Sequence, residues 1–113
     1  MSDIRLREFE ELVLLSVLVA GSGAYGASIQ RVLEEEAHRG VTLGAIYTAL
    51  DRLTRKGFVR SEMGAPTPVQ GGRRKRQYEL TEEGVRQVAD IRRIRERMWE
   101  KADTEALSEG AGS

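Results

Sequence analysis

Residues Val41 to Met63 read VTLGAIYTALDRLTRKGFVRSEM, and the fold turns on how this stretch divides. Thr42 is a helix-capping residue type, whose hydroxyl can accept a backbone N–H of the first turn. From Leu43 onward, Ile46, Leu50 and Leu53 recur at i, i+4 and i+7, the spacing of one buried helical stripe. Gly57 ends that helix. FVRSEM (58–63) then reads as a short strand run.

Working outward, KRQYEL (75–80) is a second such run, this one alternating, with Tyr78 and Leu80 on one face. GAPTPVQGGR (64–73) lies between the two runs and is too long for a tight turn, so the expectation is a hairpin with a floppy tip. On the other side, LREFEELVLLSVLVA (6–20) carries Leu6, Phe9, Val13 and Val17 at helical spacing, then apolar residues on nearly every face. GSG (21–23) stops this first helix. YGASIQRVLEEEAHRG (25–40) places Ile29, Val32 and Leu33 on one side of a second helix, which Gly40 is expected to close. Thr81 caps a fourth helix, with Glu82 and Glu83 favourably placed at its positive end. Val85, Val88, Ile91, Ile94 and Met98 follow three or four apart. The expected class is mainly α with a small β hairpin. Residues 1–80 form a winged helix-turn-helix, 81–104 a long C-terminal dimerisation helix and 105–113 a disordered tail.

The 113 residues have a formal net charge of zero, and their distribution is uneven. Residues 1–51 sum to −4, residues 52–76 to +7 and residues 77–113 to −3. A strongly positive segment can attract a polyanion even when the whole chain is neutral. The absence of cysteine excludes disulfides and thiol catalysis. LVLLSVLVA (12–20) has an acidic leading flank, unlike a secretion signal, and falls short of the roughly 20 residues needed to span a bilayer. A cytoplasmic protein without membrane contact is expected.

The third helix has a second face. Thr42, Gly44, Ala45, Tyr47, Thr48, Asp51, Arg52 and Arg55 are left pointing outward. Small and hydroxyl-bearing residues come first and cations later, which suits a helix entering the DNA major groove by its N-terminal end. The plain alternative is an ordinary amphipathic helix. Arg73, Arg74, Lys75 and Arg76 stand together beside the second strand, where their repulsion costs stability; a nearby phosphate backbone converts that cost into attraction and counterion release. In an isolated chain the five apolar residues of the fourth helix are expected to face water, so a second copy should cover them. The dimer contacts are read as Val88, Ile91, Ile94 and Met98. Trp99 would anchor the same interface or line a pocket.

GSGAYG (21–26) matches the dinucleotide fingerprint G-x-G-x-x-G, but that motif needs a strand before it and a βαβ unit around it. Here a helix precedes it and another follows, so the glycines more simply end one helix and start the next. His38 is the only histidine; with no cysteine, neither a common zinc site nor a Ser-His-Asp triad can be built. It reads as a cation near a helix C-terminus. Glu34–Glu36 reads as a solvated face. No cofactor, metal site or catalytic group is expected.

YGASIQRVL, VTLGAIYTALDRLTRKGFV and GGRRKRQYELTEEG, in this order and spacing, resemble the PadR family of bacterial winged-helix transcriptional regulators. The short C-terminal part resembles the smaller subclass with a single dimerisation helix. The resemblance implies a homodimer that binds a pseudo-palindromic operator in double-stranded DNA and usually represses. It implies that Tyr47 contacts the DNA backbone, that Thr42, Gly44 and Thr48 lie at the groove, and that Arg73, Arg74 and Arg76 supply the wing; Arg52 and Lys75, cations of the same surface, are expected as further DNA contacts. Some relatives bind planar aromatic effectors between the dimer's last helices, which makes Trp99 the candidate effector contact. The competing reading is a winged helix that binds a partner protein without DNA specificity.

Overall fold

The structure, a computed structural model, describes residues 6–64 and 75–103. Four helices and one hairpin follow in the order α1 (Glu8–Ala20), α2 (Gly26–Ala37), α3 (Leu43–Arg55), β1 (Val59–Met63), β2 (Arg76–Leu80) and α4 (Glu82–Ala102). This is the winged helix expected from the sequence. Residues 65–74, with Arg73 and Arg74, and residues 104–113 lie outside the described residues, and with them the expected floppy tip and the expected disordered tail over 105–113.

Val13, Leu14, Ile29, Leu33, Ile46, Leu50, Leu53 and Phe58 are essentially removed from water. Each such side chain contributes roughly 1.5–3 kcal/mol of hydrophobic stabilisation. They come from three helices and from Phe58 just before β1, and the i, i+4, i+7 stripe of α3 is part of that core. Both capping threonines act as their sequence context predicts. Thr42 Oγ1 accepts from the Ala45 N–H at 3.1 Å, and Thr81 Oγ1 from the Gly84 N–H at 3.1 Å.

The hairpin is antiparallel, with Val59 opposite Leu80, Ser61 opposite Tyr78 and Met63 opposite Arg76. GSGAYG adds a third, minimal element to it: Ala24 bridges Tyr78, whose N–H donates to the Ala24 carbonyl at 2.8 Å. The motif therefore joins α1 to α2 and pins the sheet, and among the described residues it is preceded by a helix and not by a strand.

Two close approaches hold the layers together. At Gly84 a Cβ would lie 2.1 Å from the Phe58 carbonyl oxygen, so α4 packs directly on the backbone entering β1. Thr81 fastens the same junction. Its N–H donates to Phe58 O at 3.0 Å, and its hydroxyl donates to Gly57 O at 2.6 Å.

The structure corrects the sequence reading in two places. α2 ends at Ala37 with His38 as its C-cap, in the left-handed region at φ 53°, rather than at Gly40. Histidine is among the few non-glycine residues found there with any frequency. The stripe on α4 does not face water as a whole. Val88 and Ile91 are only 8 and 5 % exposed, because α4 packs back on α1 and β2 of its own chain. Ile94 is half-buried, while Val85, Met98 and Trp99 are exposed.

A candidate nucleic-acid interface

α3 and the hairpin meet at an open cleft of about 430 Å³, lined by Tyr47, Thr48, Asp51 and Thr54 from the helix and Ser61, Arg76 and Tyr78 from the strands. The outward face of α3 and the base of the wing thus share one concave surface. Tyr47 keeps 45 % of its surface exposed. Thr48, Gly44 and Arg52 are exposed on the same helix. The Thr42 hydroxyl accepts the capping N–H and retains its own proton to donate.

On the wing, Arg76 is exposed and its Nη1 donates to Ser61 Oγ at 3.1 Å, which steadies the guanidinium at the cleft mouth. Lys75 is exposed, and its ammonium lies 4.1 Å from the centre of the Tyr25 ring. A cation at that distance is attracted by the ring's negative face, by about 0.5–1 kcal/mol at an exposed site. Lys75 is therefore held against the start of α2. Tyr78 forms the cleft floor: burial pushes its phenol above the usual value of 10, reinforced by the nearby Tyr47 and only partly offset by Arg76. It remains neutral at physiological pH.

The cleft brings together Tyr47, Thr48 and Arg76 of the sequence-predicted set. Thr42, Gly44, Arg52 and Lys75 lie outside its lining. Asp51, Thr54, Ser61 and Tyr78 line it without having been marked as site residues. Asp51 was legible as outward-facing. It forms a loose, exposed pair with Arg55 at 3.7 Å. Tyr25 was not legible, since its contact with Lys75 joins segments far apart in sequence.

Trp99 lies at the far end of α4, 65 % exposed, beside Arg95, Met98 and Ala102 around a shallow hollow of about 270 Å³. Among the described residues no cluster of three or more His, Asp or Glu could hold a metal ion. No described helix is long and apolar enough to cross a membrane.

The sequence profile of the transcriptional regulator PadR-like family matches residues 14–90, which run from the middle of α1 through the hairpin into α4. The chain belongs to the PadR-like family. Solved structures of PadR proteins share its fold. A PadR family transcription regulator from Clostridium difficile is 27 % identical, with a TM-score of 0.65 over 88 % of this chain and 98 % of that one. A PadR-like transcription factor from Bacteroides fragilis is 23 % identical, with a TM-score of 0.67 over 85 % of this chain and 87 % of that one. Bacillus subtilis PadR, solved in complex with operator DNA, is 21 % identical, with a TM-score of 0.60 over 77 % of this chain and 48 % of that one. No curated protein matches the chain.

Proposed function

We propose that this PadR-family regulator binds double-stranded DNA as a homodimer and represses by occupying an inverted-repeat operator. The observation that carries this reading is the shared cleft of α3 and the wing, with Tyr47, Thr48 and Arg76 on one surface. A phosphate backbone crossing that cleft would meet the Tyr47 hydroxyl and the Arg76 guanidinium, while the small residues at the start of α3 enter the groove. Arg52, Lys75, and Arg73 and Arg74 of the loop would extend the contact along the backbone. The Bacillus subtilis relative bound to operator DNA supports the same partner.

The dimer contact is read from what remains exposed. Leu15, Leu18 and Val19 of α1 and Val85, Met98 and Trp99 of α4 each keep between 40 and 67 % of their surface in water. Leu18 and Val85 line one surface hollow, and Met98 and Trp99 line another at the far end of α4, so both helices leave apolar surface to be covered. Pairing would cover it and present two recognition helices to successive major grooves, about 34 Å apart. Val88 and Ile91, expected from the sequence as dimer contacts, are already buried in the chain's own core, and the exposed residues take their place in the proposed contact. Ile94 and Met98 remain in the proposed contact. Trp99 would become enclosed only in the pair, where it could serve the interface or a planar effector held within it.

The test is binding to a labelled DNA duplex as a function of salt. The logarithm of affinity should fall linearly with the logarithm of salt concentration, by about 0.9 for each phosphate neutralised. A protein indifferent to DNA at low salt would contradict the proposal and favour a protein partner.

A further inference from the structure

We propose that Gly26 is a positioning residue for DNA binding: the space left by its missing Cβ holds the phenol end of Tyr47 and so fixes where that hydroxyl meets a phosphate. The inference rests on the reading of α3 as the DNA-facing helix.

Gly26 is the first residue of α2 and is buried. It is not among the glycines with positive φ, so its backbone conformation is open to any residue. The missing side chain does a different job. A Cβ at Gly26 would fall 2.4 Å from Oη and 2.7 Å from Cζ of Tyr47, inside the distance at which heavy atoms touch. The inner edge of the phenol therefore lies on the start of α2, while its outer side stays open at 45 % exposure. An exposed tyrosine ordinarily loses rotamer freedom when it binds. Here α2 restricts the ring beforehand and aims it into the cleft shared with Arg76.

This geometry separates binding from stability. At Gly84 the obstructing atom is backbone and cannot yield; at Gly26 it is the far end of a half-exposed side chain, which can swing aside. Alanine is moreover a better helix former than glycine. Gly26→Ala should therefore fold normally and misplace Tyr47.

The test is a double-mutant cycle on the full chain, read by the anisotropy of a fluorescein-labelled random-sequence DNA duplex at low salt, since a phosphate contact needs no operator. Tyr47→Ala should weaken binding about tenfold, the loss of one hydrogen bond to a charged group. Gly26→Ala should weaken it similarly with an unchanged or raised melting temperature. The double variant should bind no worse than Tyr47→Ala alone. Gly26→Ala binding like the wild type, or losing further affinity in the Tyr47→Ala background, overturns the positioning role and leaves the DNA reading intact. A Tyr47→Ala variant that binds like the wild type removes the DNA role of Tyr47, and the inference with it. Should Gly26→Ala fail to fold alone, the double variant must recover the fold; failure there also overturns the proposal.

Discussion

The ammonium of Lys56, at the C-terminal end of α3, donates a 2.7 Å hydrogen bond to Oε1 of Glu10 in α1. Glu10 is 3 % exposed, and the same oxygen accepts the Arg7 N–H at 3.0 Å. Oε2 has no partner among the described residues, so Oε1 carries the whole compensation for a buried charge. Burial alone would raise the carboxyl pKa. The Lys56 hydrogen bond, the Arg7 N–H and their charges outweigh it, and the net shift is downward from 4.5. A depressed folded-state value means this stabilisation is fully present above the unfolded pKa and is lost as pH falls through the folded one. Thermal melts should show stability declining below about pH 4.5. Glu10→Gln should cost about 2 kcal/mol at neutral pH, less than a fully buried pair because Lys56 is 28 % exposed. It should also flatten the acid limb, and a variant with an unchanged acid limb would deny Glu10 this role.

Gly84 sits where α4 meets the backbone of Phe58, and a Cβ there would overlap the carbonyl at 2.1 Å. Neither partner is a movable side chain. Gly84→Ala should cost about 2–4 kcal/mol by displacing the helix, despite alanine's better helix propensity. Chemical denaturation would measure it, and a neutral or stabilised variant would mean that α4 is free to shift.

The proposed dimer face makes a contrast within one pair of helices. Leu18→Glu with Val19→Glu, at positions 48 and 63 % exposed, should give a folded monomer by light scattering. Ile91→Glu places a charge at a site 5 % exposed and should instead unfold the chain. A dimer that survives the α1 changes would move the interface elsewhere.

The wing prediction concerns charge. Arg76→Ala should lower the slope of log affinity against log salt by about 0.9 if one phosphate contact is lost. Arg73→Ala with Arg74→Ala should remove up to twice that. An unaltered slope in all three would exclude the wing from the contact.

The sequence made the element order readable because its signals are local. Thr42 and Thr81 sit at the caps they were read as, and the alternation of β2 places Tyr78 inward. The α4 stripe was less decisive. An apolar residue every three or four positions announces a buried face but not what buries it, so Val88 and Ile91 were read as partner contacts although both are already buried within the single chain. The end of α2 was placed at Gly40 because a left-handed cap is written mostly in glycine; His38, expected near that helix end, is the cap itself. The contacts that build the site, Tyr47 on Gly26 and Lys75 on Tyr25, join distant segments and leave no periodic trace.

The central claim is that the outward face of α3 and the base of the wing meet DNA together. Titration of ¹⁵N-labelled protein with a DNA duplex tests it residue by residue. The amides of Gly44, Tyr47, Thr48 and Arg76 should shift along one binding curve, while those of Glu34 to Glu36 on α2 stay still. Shifts absent from α3, or present on α3 without Arg76, would contradict the account.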